Sequence, residues 1–390
     1  MIVRKITEEF IDCATEYPVV TILGPRQSGK TTLAQMTFPE KKYFSLENPD
    51  TRLFAENDPR AFLDKMKDGG IIDEIQRLPL LLSYIQGIVD EHNIPGQFIL
   101  TGSHQPLLHE AISQSLAGRT AILNLWPFSI NEIKNYDSNL KACDLIVKSG
   151  FPRVYEQNLK MRRFYNNYLQ TYIERDLRTL LQLKNLSLFQ NFLKLLAGRV
   201  GQLINYTSIT NDLGVSTKTI QKWISVLKAS FIIFEVQPYH GNIRKRLIKS
   251  SKLYFIDTGL AAFLLGIYSG AHVLRDPLRG NLYENLIIAD VIKEAQNSGI
   301  RPEIYFYRDS NNNEVDLIVQ EKGWLHPVEI KSSKTFSKTF LKGLNNFQEL
   351  NLPRCKPGIV FYNGPHNQMI NDMKIINPLT SLDLWKTIVL

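Results

Sequence analysis

Residues 24–31 read Gly24-Pro25-Arg26-Gln27-Ser28-Gly29-Lys30-Thr31, with Thr32 next. The apolar run Val19-Val20-Thr21-Ile22-Leu23 precedes them, and the helix-like Thr32-Leu33-Ala34-Gln35-Met36 follows. A strand that turns through G-x-x-x-x-G-K-T into a helix is a phosphate cradle. Its glycines let successive backbone N–H groups face a polyphosphate held at the positive end of the helix. In this reading Lys30 reaches the β and γ phosphates and the Thr31 hydroxyl lies on Mg²⁺, with the whole of Gly24 to Thr32 as the binding segment.

Hydrolysis needs an acidic site as well, and Gly69-Gly70-Ile71-Ile72-Asp73-Glu74 is a short apolar run that ends in two carboxylates. Asp73 is expected to hold Mg²⁺ through water, and Glu74 to orient and deprotonate the attacking water. Side chains adjacent at a strand end diverge, which allows the two roles. The next apolar run, Gln97-Phe98-Ile99-Leu100, leads into Thr101-Gly102-Ser103, where Ser103, with Thr101 behind it, is expected to sense the γ-phosphate. Arg119, just before the run Thr120 to Leu125, is a candidate arginine finger. With Lys42 to Leu46, five β-like runs separated by helix-like segments predict a three-layer α/β domain with a parallel sheet. Ligands of such sheets bind at the carboxyl ends of the strands.

These motifs, together with Ile71-Ile72-Asp73-Glu74-Ile75-Gln76-Arg77-Leu78-Pro79 and Ser115-Leu116-Ala117-Gly118-Arg119, resemble the prokaryotic AAA-type P-loop ATPases that carry an uncharacterised C-terminal domain. The resemblance extends over nearly the whole chain. It implies sheet order 5-1-4-3-2, with ATP and Mg²⁺ as cofactors held by Lys30, Thr31, Asp73 and Glu74. Relatives of this type often form rings, so a homo-oligomer is compatible with it.

The 390 residues, 44% of them apolar, suffice for two to three domains. No apolar stretch approaches the ~18 residues of a membrane span, and the first residues lack a secretion signal's apolar core, so a cytoplasmic protein is expected. Cys13, Cys143 and Cys355 lie far apart, which argues against disulfides or a zinc site. The formal charge of +8 is compatible with nucleic acid as a partner.

Beyond the first domain, expected over residues 1–137, the pattern turns helical over 138–204, as in a lid and linker. Phe164, Tyr168, Tyr172, Ile173, Leu177, Leu180 and Leu181 recur at three- and four-residue spacing there. Arg175 in this stretch is a minor candidate for touching a neighbouring subunit's nucleotide. Residues 205–258 read as a winged helix-turn-helix. Gly214 ends one helix, Ser216 caps the next, and Ile220, Trp223, Ile224 and Leu227 form its inner stripe. Thr217, Lys218, Gln221 and Lys222 would face a DNA groove. The basic stretch with Arg244, Lys245, Arg246, Lys249 and Lys252 would hold phosphates between strands Phe231 to Val236 and Leu253 to Ile256.

In residues 259–390, Glu284 lies on an apolar helix ahead of three strand-like runs: Ile304 to Tyr307, Glu314 to Val319 and Leu325 to Lys331. The period of two puts Glu329 and Lys331 on one strand face, so that with Asp316 two carboxylates can chelate Mg²⁺ beside a lysine, Glu284 adding a ligand. The constellation resembles the restriction-endonuclease-like fold with its PD-(D/E)xK signature and αβββαβ core, completed here by helix Phe340 to Leu350 and strand Gly358 to Tyr362. The expected function is that of an ATP-driven enzyme that acts on DNA. The alternatives are an ATP-switched binding protein with an inert terminal domain, and a signalling ATPase without nucleic acid.

Overall fold

Val19–Gly24 forms strand β1, buried along its whole length. In the computed structural model, which describes residues 2–103, 106–148, 150–173, 181, 185–240, 250–381 and 383–390, β1 belongs to a five-stranded sheet. Its companions are β2 (Lys42–Ser45), β3 (Gly70–Asp73), β4 (Phe98–Ser103) and β5 (Thr120–Asn124). The order is β2-β3-β4-β1-β5 and every neighbouring pair is parallel, which is the expected 5-1-4-3-2 order read from the other edge.

The strand period of two divides the apolar residues of this sheet between two cores. Val20, Ile22, Ile71 and Ile99 pack with Phe10 of α1 (Thr7–Glu16) and Leu33 of α2 (Lys30–Thr37). Val19, Leu23, Ile72 and Leu100 pack with Leu82 and Ile85 of α3 (Leu81–His92). Helices on both faces leave the carboxyl strand ends open at one edge, where β1 feeds α2.

After β5, α4 (Ile130–Tyr136) starts on a capping box formed by Ser129 and Glu132. Short helices Ala142–Val147, Pro152–Glu156 and Met161–Tyr168 follow, then α5 (Leu186–Ala197). Phe164 and Tyr168 stack with ring centroids 5.9 Å apart. Leu177, Leu180 and Arg175 lie outside the described residues.

The next pair, α6 (Tyr206–Leu213) and α7 (Thr217–Ala229), turns at Gly214, whose φ of 66° needs a residue without Cβ strain. The Ser216 hydroxyl accepts the Thr219 N–H and caps α7. Ile220, Trp223, Ile224 and Leu227 are all buried. Strands β6 (Ile233–Pro238) and β7 (Lys252–Phe255) then pair antiparallel. They are not a free-standing wing. Gln237 and Pro238 continue β6 alongside Tyr305 and Phe306 of β8 (Glu303–Arg308), so the hairpin is the edge of a larger sheet.

That sheet has eight strands in the order β12-β13-β11-β10-β9-β8-β6-β7. Its centre is an antiparallel meander of β8, β9 (Glu314–Glu321) and β10 (Trp324–Lys331), with β11 (Ile359–Tyr362) parallel to β10. Strands β12 (Gln368–Ile370) and β13 (Met373–Ile376) extend the far edge. One face carries α8 (Arg279–Asn297) through Ile287 and Val291, and the other carries α9 (Lys342–Gln348) through Leu344 and Phe347. No helix of the described residues is long and apolar enough to cross a membrane.

Phe192 of α5 is fully buried, with Phe189 and Trp223 rings 5.9 and 5.0 Å away. Truncation there leaves a cavity between α5 and α7. Phe192→Ala is expected to lower stability by about 3–5 kcal/mol, read as an earlier urea midpoint in tryptophan emission.

Candidate nucleotide site and the C-terminal carboxylate cluster

Two glycines shape the loop between β1 and α2. A Cβ on Gly24 would stand 2.3 Å from the Leu125 carbonyl oxygen, and Gly29 has φ +91°. The loop therefore closes tightly and hands over to α2 at Lys30. That lysine is only 6% exposed, and its Nζ donates to the carbonyls of Gly24 (3.1 Å) and Pro25 (2.9 Å). Burial pushes its ammonium down to about 8, against the opposing pull of the Glu74 and Asp73 carboxylates.

Asp73 ends β3 and collects three hydroxyls. Thr31 donates to its Oδ1 at 2.9 Å, Tyr43 to its Oδ2 at 2.9 Å, and Thr101 to Oδ1 as well. Glu74 follows in the left-handed region (φ 61°), its N–H directed to the Thr101 hydroxyl and its carboxylate held by the Gln76 amide. Lys30, Thr31 and Glu74 line a cavity of ≈ 700 Å³. The hydroxyl of Thr31 beside the carboxylate of Asp73 is the hard oxygen pair that suits Mg²⁺ when phosphate supplies the rest. Lys30 and the loop amides suit the phosphate.

The rest of the cavity wall is mostly apolar, with Ile2, Val3, Ile11, Met36, Phe128 and Pro152 lining it beside Arg153. This wall had no signal in the sequence, because its pieces come from segments far apart in the chain. Arg4 also lines the cavity, and nothing in the sequence distinguishes it from a surface arginine.

Ser103 lies at the carboxyl end of β4, opposite Gly24 in the ladder, and its hydroxyl is buried without a protein partner among the described residues. Of the two β4 hydroxyls, that of Thr101 is the one bonded to the acidic pair. Arg119 requires a correction. It precedes β5 at the amino ends of the strands, and its guanidinium pairs with both carboxylate oxygens of Asp90 on α3. Five strand residues at ~3.3 Å each separate it from the phosphate end, so it does not belong to this chain's own site.

The C-terminal carboxylates Asp316 and Glu329 come together around one lysine, as the strand period predicts. Glu329 and Asp316 both face Lys331, whose Nζ lies 2.5 and 3.2 Å from them, and Asp316 also accepts the Ile330 N–H at 2.8 Å. Burial, then Asp316, pushes the Glu329 carboxyl up to about 8 against the pull of Lys331. Glu284 has partners of its own: its Oε1 accepts from Lys252 Nζ at 3.0 Å and from the Tyr254 hydroxyl at 2.5 Å. Lys252 also pairs with Glu314. Among the described residues no group of three His, Cys, Asp or Glu side chains is arranged to hold a metal ion. Lys252, read from the sequence as a phosphate contact, is 2% exposed inside this cluster. Burial works against its charge, but Glu284, Tyr254, Asp316 and Glu314 together hold the ammonium well above its usual range.

Thr217, Lys218, Gln221 and Lys222 are all exposed on α7, opposite its buried stripe. Arg244, Lys245, Arg246 and Lys249 lie outside the described residues.

Phosphate beside the Lys30 ammonium favours its charged form, so the bound lysine titrates above the free value of about 8. Between those two values binding takes up a proton, and affinity must fall as pH rises. ADP titrations from about pH 7 to about pH 9, in buffers of different ionisation heat, are expected to show proton uptake and a rising Kd. A flat Kd would contradict the role given to Lys30.

Family models match three consecutive parts of the chain: an AAA domain over residues 16–134, a domain of unknown function (DUF8612) over 139–270, and another (DUF4143) over 279–382. Uncharacterized protein Rv2008c of Mycobacterium tuberculosis is 29% identical over 370 residues, spanning 93% of this chain and 80% of that protein. An uncharacterized protein of Haemophilus influenzae is 24% identical over 237 residues, 57% of each chain. Among solved structures, the Walker-type ATPase PABY2304 of Pyrococcus abyssi is similar with TM-score 0.44 and 17% identity, covering 68% of this chain and 96% of that one. AMPPCP-bound DnaA from Aquifex aeolicus gives TM-score 0.30 and 15% identity, covering 57% and 85%. The match to an AAA domain over residues 16–134 falls on the five parallel strands and the loop they carry.

Proposed function

We propose that the chain hydrolyses ATP and uses the cycle to act on DNA, with α6 and α7 as a winged helix and the C-terminal sheet as a restriction-endonuclease-like domain. The observation that supports the first part most directly is the meeting of Lys30, Thr31, Asp73 and Glu74 at one end of a nucleotide-sized cavity. Lys30 neutralises phosphate charge. Glu74 takes a proton from water as the water oxygen attacks the γ-phosphorus, the bond to the bridging oxygen breaks, and ADP leaves. Thr31 and Asp73 would hold Mg²⁺, which supplies further charge neutralisation between the phosphates.

The exposed face of α7 supports the DNA reading: two lysines, a glutamine and a threonine on one solvent-facing side are the groups that contact phosphates and base edges. The antiparallel meander, the parallel β11 and the α8 backing fit the αβββαβ core, and Lys331 between Asp316 and Glu329 fits cleavage chemistry. A second reading, an ATP-switched DNA-binding protein that does not cut, is favoured by Lys252. It fills with an internal ammonium the space beside Glu284 that a further cation would need.

Lys30→Ala is expected to abolish ATP binding in calorimetry, whereas Glu74→Gln keeps binding and lowers turnover by about 10²-fold or more. Unchanged phosphate release from Glu74→Gln would remove Glu74 as the base. For the terminal domain, supercoiled DNA incubated with ATP and Mg²⁺ or Mn²⁺ is expected to be nicked by the parent but not by Lys331→Ala. DNA retained without nicking, with affinity falling steeply as salt rises, would select the second reading.

A further inference from the structure

We propose that Arg4 is a positioning residue for nucleotide phosphate: its guanidinium fixes the Ser28–Gly29 peptide so that the Gly29 N–H faces the cavity. This rests on the nucleotide reading of the loop. Each arm of the guanidinium has a different acceptor. Nη1 donates to the Ser28 carbonyl at 2.9 Å, Nη2 to the Trp126 carbonyl at 2.8 Å, and Nε to Glu132 Oε1 at 2.9 Å. The Phe128 ring lies 4.8 Å from the guanidinium carbon.

Nothing in this arrangement is loose. Glu132 is fully buried and accepts the N–H groups of Lys5 (2.9 Å) and Ser129 (2.8 Å) besides Arg4. The guanidinium is therefore anchored on the helix-start structure of α4 and reaches back to the phosphate loop. No peptide in the described chain is cis, and in a trans peptide the C=O and N–H point in opposite directions. Holding the Ser28 oxygen toward Arg4 fixes the sense of the Gly29 N–H, and Arg4 and Gly29 both line the cavity.

A clamp is needed here because of glycine. Gly29 at φ +91° accepts either sense of the preceding peptide at little cost, so the loop by itself does not choose one. Arg4 chooses before phosphate arrives, and the cost of ordering that peptide is removed from binding. Lysine is no substitute, since one ammonium lacks the planar fork that reaches three separate acceptors.

The test compares ADP with adenosine, which shares the base and ribose but has no phosphate. Arg4→Lys is expected to raise the calorimetric Kd for ADP about tenfold, the loss of one good hydrogen bond, while adenosine binding changes less than about twofold. Thermal melting without nucleotide checks that the variant is folded. Should it not fold, the double variant Arg4→Met with Glu132→Met removes both buried charges together and is judged by the same ratio. An ADP affinity within about twofold of the parent, or equal weakening of ADP and adenosine in a folded variant, would overturn the proposal. A parent protein that binds no ADP would instead overturn the nucleotide reading itself.

Discussion

A single carboxylate, that of Asp73, organises the phosphate end of the sheet. A carboxylate at 6% exposure is tolerable only with hydrogen-bond donors around it, and the donors here arrive from three directions. Thr31 comes from α2, Tyr43 from β2 and Thr101 from β4. Parallel order is what brings them together, because it ends all of these strands on the same edge. Glu74 depends on the same arrangement. It leaves the strand through a left-handed turn, a conformation that costs about 1–3 kcal/mol for a residue with a side chain, and its N–H meets the hydroxyl that Asp73 already holds. The turn, rather than strand alternation, separates the two carboxylates.

The parts legible in the sequence are those whose signal is local. The glycine loop, the apolar runs and the acidic pair each lie within a few residues, and the five strands follow nearly where the pattern puts them. Gly214 and Ser216 likewise delimit α6 and α7 through turn and cap chemistry confined to a few positions. Arg119 could have been placed correctly from the sequence. It comes before its strand, and ligands of a parallel sheet sit after theirs. Arg4, Tyr43 and Lys252 were beyond such reasoning because their partners lie tens of residues or more away in the chain.

Lys252 shows how misleading local company can be. Its neighbours in sequence are basic, yet its neighbours in space are Glu284 and Glu314. A second ammonium, Lys331, serves Asp316 and Glu329 nearby. Lys252, Lys331 and Arg308 thus pair with the four carboxylates Glu284, Glu314, Asp316 and Glu329 in a region where isolated charge would be strongly disfavoured. The edge hairpin that carries Lys252 is tied to α8 by its pairing with Glu284 and to β8 by the ladder from β6.

Helix α8 touches both ends of the molecule's chemistry. Near its last turns, Lys293 donates to the Phe128 carbonyl at 3.1 Å, Asp290 accepts the Ile130 N–H at 2.7 Å, and Glu294 receives Lys5 at 2.8 Å. Near its start, Glu284 meets Lys252. At ~1.5 Å per residue, the ten steps from Glu284 to Glu294 make a rod of about 15 Å without a joint. One unbroken element therefore sets the spacing between the Phe128–Ile130 segment and the buried pair of Lys252 and Glu284.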